Sequence, residues 1–284
     1  MTSIRTRVCI NNGWARLRPS RYAAPLWLSG AFAVCLALAC PVDAATPSHD
    51  QLLPDSTQVY VHTDNFKLLQ DRWDSTQYSK LYNDSTMESF RNEWRRYLAE
   101  SSQGFEDRTG ISIDELTELV QGKASLAQVA TGQYKLAYVV LADVSDVRIA
   151  ADALLAKGSK RLQDKGARRE LRKLDGNAAT IFSRTGKDKV LAQTIYLVKE
   201  GTLCIVTDLK VTEGILTRWS GGNTSSGLAA AEAYRETQAA CDSEPNPGKP
   251  DARWFVDLVA YLTTTSPPET EGLEETNTGE SRQK

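Results

Sequence analysis

Three aspartates close three apolar segments built to one pattern. Val59-Tyr60-Val61-His62-Thr63 ends at Asp64, Tyr138 to Ala142 ends at Asp143, and Trp254-Phe255-Val256 ends at Asp257. Two such carboxylates sharing a cleft could do acid–base work of the kind that cleaves glycosidic bonds. The same side chain has a simpler use at the same position. Each aspartate precedes a helical pattern, and a carboxylate accepts hydrogen bonds from the free N–H groups of a first helical turn. Capping accounts for all three residues without a further assumption, so Asp64, Asp143 and Asp257 are weak catalytic candidates.

Little else in the chain could carry catalysis. It has two histidines. His49 lies in a polar leader read as flexible, and His62 lies on a strand with its side chain on the face of Tyr60. Neither has a second ligand at metal-site spacing. Gly-x-Ser-x-Gly, His-Glu-x-x-His, P-loop and Gly-x-Gly-x-x-Gly motifs are absent. The sequence calls for no metal and no cofactor, and serine or thiol catalysis would have to recruit His62.

Of five cysteines, Cys9, Cys35 and Cys40 fall in the first 40 residues, leaving Cys204 and Cys241. In an oxidising compartment these two allow one disulfide, closing a loop worth roughly 3–4 kcal/mol in the chain-entropy model. The alternative is that Cys204 is a small core hydrophobe in a strand from Thr202 to Thr207. A basic stretch carries Lys157, Lys160, Arg161, Lys165, Arg168, Arg169, Arg172 and Lys173 against Asp164 and Glu170. It could dock an anionic wall polymer or an acidic partner. The plainer reading is a solvated helix end running into an edge strand whose cations deter aggregation.

The compartment is read from the first 44 residues. Arg5, Arg7, Arg16, Arg18 and Arg21 precede an apolar run from Ala23 to Ala39, and small residues lead to Ala44-Ala45. This is the pattern of a secretory signal peptide cut between Ala44 and Ala45, and it predicts an exported protein, periplasmic, envelope-bound or secreted. Retention as an anchor, or lipidation at Cys40, are the alternatives, and they are the only route to membrane contact. The whole chain has 34 Lys and Arg against 36 Asp and Glu; removing residues 1–44 leaves 29 and 35, a net charge of -6. A mildly acidic chain does not suit nucleic acid, whose binding depends on phosphate neutralisation. The partner expected instead is an envelope protein or polymer.

The elements that must position these residues alternate between strands and helices. Strands are predicted over 58–63, 124–130, 135–141, 168–174, 178–183, 194–198, 202–207 and 253–256. Asp175-Gly176-Asn177 and Lys199-Glu200-Gly201 read as hairpin turns. Capping boxes at Ser85-x-x-Glu88 and Ser112-x-x-Glu115 start helices, the first bearing Met87, Phe90, Trp94, Tyr97 and Leu98 on one face. The expected fold class is α+β: a mainly antiparallel sheet with helices on one face and split β-α-β, ferredoxin-like elements. The expected organisation is a signal peptide over 1–44, a flexible leader over 45–51, a strand and helical region over 52–122, and an α+β region over 123–262 packed with it as one domain. The tail over 263–284, with five Glu, two Pro and one Leu, reads as disordered.

Leu52-Leu53-Pro54 with Val59-Tyr60-Val61, Gly110 to Leu116, Val140 to Val144 and Arg253 to Asp257 together resemble a family of exported planctomycete proteins classed as domain of unknown function 3352. Members of that family continue past the Trp-x-Val-Asp segment into a second half. This chain enters a polar tail there, as a truncated or divergent member would. The resemblance implies export and brings no activity, cofactor or catalytic residue. The reading is an exported, non-enzymatic binding or envelope-structural protein; the alternative is a carboxylate-dependent extracytoplasmic hydrolase.

Overall fold

The computed structural model describes residues 46–132, 135–185, 191–222, 224–243 and 250–265. The signal-peptide segment over 1–44 with Cys40, the Ala44-Ala45 cleavage point and the tail from 266 onward lie outside these residues. Eight strands form one sheet: β1 (Thr57–Thr63), β2 (Ala124–Gly132), β3 (Lys135–Asp143), β4 (Arg168–Leu174), β5 (Asn177–Thr185), β6 (Leu191–Lys199), β7 (Thr202–Val206) and β8 (Arg253–Val256). Their order is β4-β5-β6-β7-β3-β2-β1-β8, and every neighbouring pair is antiparallel. The fold is α+β. The strands of the 52–122 and 123–262 regions belong to this one sheet.

The helices are α1 (His49–Leu52), α2 (Phe66–Ser75), α3 (Gln77–Asn83), α4 (Glu88–Thr109), α5 (Ile113–Leu119), α6 (Arg148–Asp164), α7 (Leu209–Trp219), α8 (Glu232–Asp242) and α9 (Leu258–Thr265). Counting antiparallel steps, β3 and β4 run the same way with α6 between them, and so do β7 and β8 with α7 and α8 between them. Both are split β-α-β crossovers.

Helices cover both faces of the sheet rather than one. The reason lies in the central strands, where neighbouring residues point to opposite sides. Val139, Leu141, Cys204 and Val206 join a core with Leu52 of α1, Ile215 and Trp219 of α7 and Tyr234 of α8. Val140, Leu203 and Ile205 join a second core with Phe105 of α4, Leu116 of α5 and Leu162 of α6. A strand buried at every residue, as β7 is, must be covered on both sides.

Local signals place the helix ends. Ser112 caps α5 in a full capping box: its Oγ accepts from Glu115 N–H at 3.2 Å, and Glu115 Oε2 accepts from Ser112 N–H at 3.0 Å. The box expected at Ser85 is not formed. Asp84 caps a single 3-10 turn over Ser85–Met87, and α4 starts at Glu88 without a side-chain cap. The face of α4 bearing Phe90, Trp94, Tyr97 and Leu98 is exposed, with Trp94 ring-stacked between Phe90 and Tyr97. Its periodicity is real, but no described element packs over it.

Two glycines let the end of α4 rest on α6. Gly110 closes α4 at φ +72°, and a Cβ there would come 2.6 Å from the Gly158 carbonyl oxygen. A Cβ on Gly158 would come 2.7 Å from Ile111 Cγ1 and from the Tyr196 hydroxyl. Tyr196 OH in turn donates to Thr109 O. This close seat fixes where α5 starts over the sheet.

Candidate functional site

The three aspartates do not converge. Asp257 N–H donates to Gln58 O at 2.8 Å, which sets Asp257 beside the start of β1, whereas Asp64 follows its end. Six residues of strand, about 20 Å, separate those ends. Asp257 Oδ1 accepts from Ala260 N–H at 3.0 Å and so caps α9. Asp143 Oδ1 accepts from the N–H and the hydroxyl of Ser145, at 3.0 and 2.7 Å, at the first residue of the 3-10 turn that precedes α6, whose N-cap position is Val144. Asp64 departs from the expected pattern. Asn65, one residue later, caps α2 by accepting from Leu68 N–H at 2.8 Å, and Asp64 Oδ1 accepts from His62 Nε2 at 3.1 Å. Asp64 and Asp143 do share an end of the sheet, but β2 lies between their strands, a separation of about 10 Å.

His49 is the residue that sequence reasoning misplaced. It is not in a flexible leader: it opens α1, is 2% exposed, and its Nδ1 lies 2.8 Å from Ser125 Oγ on β2. Its ring meets His62 edge-on at 5.6 Å, and His62 stacks on Tyr60. Burial, then the neighbouring His62 and Lys123, hold its pKa down to about 3, against smaller opposing pulls from Asp143 and Asp64. A neutral imidazole sealed beneath a helix can accept a hydrogen bond and pack, but it has no path to a substrate. Burial, chiefly, raises the Tyr60 and Tyr234 hydroxyls above the usual phenol range, so this cluster is uncharged in its interior. The signal for His49 was its spacing to Leu52 and Leu53, which enter the core together.

The opposite face of the same strands carries an open apolar pocket. Val61, Leu126 and Val140 point from β1, β2 and β3 toward the side of α4 and α5, while Phe66 and Leu69 of α2 and Leu116 of α5 wall it. Its volume is about 220 Å³. A 150 Å³ apolar cavity in another protein stays dry and takes up benzene, so this one has room for a ring or a short branched chain. His62 and Ser125 border it through backbone, since their side chains lie on the α1 face. The pocket arises because α2 and α5 stand apart over β1 and β2, whereas α4 and α6 close over β3 to β6. Its rim stays wet: Val61 is 42% exposed and Trp254, its partner on β8, is 40% exposed.

Of the two readings open for Cys204, the disulfide with Cys241 is not formed and the buried core thiol is. Cys204 is a free thiol buried in β7, its pKa pushed up to about 12 by burial. Cys204 points into the core shared by α1, α7 and α8, where a small hydrophobe is what the packing needs.

The basic stretch divides in two. Its helical half is paired: Arg161 holds Glu115 through two N–H groups at 2.6 and 3.0 Å, Lys157 joins the same carboxylate, Lys160 meets Asp164 at 2.8 Å, and Lys165 meets Asp107 at 2.7 Å. Its strand half on β4 forms no ion pair among the described residues.

Among the described residues, no group of three His, Cys, Asp or Glu could hold a metal ion, and no helix is long and apolar enough to cross a membrane. No family model matches the chain, and no curated protein or solved structure matches it.

Proposed function

We propose that this is an exported, non-enzymatic binding protein whose ligand presents a small apolar group, a single ring or a short alkyl chain, to the pocket between α2, α5 and the β1–β3 face. The observation that carries the reading is the pocket itself: about 220 Å³, walled by aliphatic and aromatic side chains such as Val61, Phe66, Leu116 and Val140. A preformed apolar concavity is the ordinary form of a small-molecule site. The threonine hydroxyls in its lining, Thr63 and Thr117, donate to Asp251 O and Asp114 O, which suits a site for recognition of an apolar group. The signal-peptide pattern and the resemblance to an exported family support the location. The hydrolase alternative has less behind it, because Asp257 caps α9, Asp143 accepts from Ser145 and Asp64 pairs with His62.

The test is a titration with 1-anilinonaphthalene-8-sulfonate, a fluorescent probe with an apolar ring system. One-to-one saturable binding, competed by toluene and weakened about tenfold or more in Val61→Glu, supports the reading; each tenfold step is about 1.4 kcal/mol. Unsaturable binding, or binding indifferent to Val61→Glu, contradicts it.

A further inference from the structure

β4 ends the sheet, and its outer side pairs with no described strand. Residues 168–173 are exposed on both faces, and Arg168, Arg169, Arg172 and Lys173 are free of ion pairs among the described residues. Cations on an edge ordinarily deter pairing. Leu171, standing in their midst at 72% exposure, does the opposite, since it offers an uncovered apolar side chain on an open edge.

The sequence contains a segment that fits this edge residue by residue. We propose that Glu271-Gly272-Leu273-Glu274-Glu275 of a second copy of this chain adds to β4 as a parallel strand, with Leu273 beside Leu171. In that register Glu271 lies beside Arg169, Gly272 beside Glu170, Glu274 beside Arg172 and Glu275 beside Lys173. Every charged residue of the segment meets an opposite charge, and the one acid of β4 meets a glycine. The antiparallel register with the same leucine pair sets Glu274 against Glu170, a destabilising like-charge pair. Strand addition of this kind draws affinity from backbone hydrogen bonds and register from side chains.

Reach selects a second copy over the chain's own tail. α9 lies against β1 and β3, at the sheet end where Asp257 meets Gln58, and β4 also starts at that end. From β3 to a strand outside β4 is five spacings, about 24 Å in a straight line. Thr265 to Glu271 is six steps, about 20 Å fully extended. In the antiparallel register the segment would also have to climb the length of β4 first. A donor from another molecule meets no such limit, and exchange between copies builds a closed pair or an open head-to-tail series.

The test is sedimentation velocity of the full chain over a hundredfold range of concentration. Three proteins are compared: the unaltered chain, the tail variant Glu271→Lys/Glu274→Lys/Glu275→Lys, and the edge variant Arg169→Glu/Arg172→Glu/Lys173→Glu. Arg169, Arg172 and Lys173 are exposed, and circular dichroism checks that both variants fold. The unaltered chain is expected to self-associate, each variant to do so about tenfold more weakly or less, and an equimolar mixture of the two variants to recover association. A monomer at every concentration, or association indifferent to both charge reversals, overturns the proposal. So does tail-dependent protection of β4 amides from hydrogen exchange that is independent of concentration, which would mean pairing within one chain.

Discussion

Ser125 Oγ lies 2.8 Å from His49 Nδ1, joining a four-residue helix at the start of the described chain to the second strand of the sheet. Leu52 and Leu53 follow His49 into the core, and Leu228 N–H donates to Leu53 O at 2.8 Å. α1 is therefore part of the folded body. It covers the side of β1 and β2 that carries Tyr60, His62, Ser125 and Ala127, and the other side of these strands forms the apolar pocket.

Stability should fall with acid through His49. Its pKa is about 6.5 unfolded and about 3 folded, so the unfolded chain takes up the proton first. The stabilising effect of keeping it neutral is complete above pH 6.5 and declines as pH falls toward 3, by up to about 1.4 kcal/mol per unit. Urea unfolding between pH 7.5 and 5 should show this slope, and His49→Gln should flatten it. An equal slope in the variant would assign the acid sensitivity elsewhere.

Glu115 ties α5 to α6. Burial raises its pKa, but the hydrogen bonds from Arg161 and Lys157, then that from Ser112 N–H, outweigh this and bring it down to about 2. Its contribution is present above pH 4.5 and is lost as pH falls through that value toward 2, below the range where His49 dominates. Ser112→Ala should cost about 1 kcal/mol through the cap alone. Glu115→Ala should cost more, about 2 kcal/mol, since it also strands the charge-assisted bonds to Arg161. Equal losses in the two variants would show that the Arg161 pair contributes nothing.

Gly158→Ala is a test of sign. Alanine in a helix interior is favoured over glycine by about 1 kcal/mol. Here the new methyl meets Ile111 and Tyr196 at 2.7 Å, so the net effect should be a loss of about 1–3 kcal/mol, as for overpacking. A rise in the unfolding midpoint would mean that α4 and α6 separate easily.

Cys204 should be silent to thiol reagents in the folded protein. Reactivity follows the thiolate, and a thiol raised to about 12 in a fully buried strand presents almost none at pH 8. The equivalent contributed by Cys204, identified by its absence in Cys204→Ala, should appear with Ellman's reagent only on unfolding. Rapid labelling under native conditions would place β7 nearer the surface than its packing does.

Much of the fold was legible because its signals are local. Asp208 caps α7 through Val211 N–H at 2.9 Å, and the Asp175-Gly176 and Glu200-Gly201 turns take positive φ at all four residues. What was not legible depends on partners distant in sequence. His49 looked like solvent-exposed leader because its partners, Ser125 and His62, lie on strands no local pattern connects to it. The aromatic face of α4 had the right period for burial, but periodicity does not say what covers a face. The pocket was invisible for the same reason: Val61, Leu69, Leu116 and Val140 are ordinary core residues in sequence, and only the spread of α2 and α5 leaves space between them.

The most direct test of the binding reading is methyl-resolved NMR of the 13C-labelled protein titrated with toluene. Nuclear Overhauser contacts from the ring to methyls of Val61, Leu69, Leu116 and Val140, saturating together, are the predicted result. Shifts scattered over the exposed faces of α2 to α4, with none at these four residues, would contradict it.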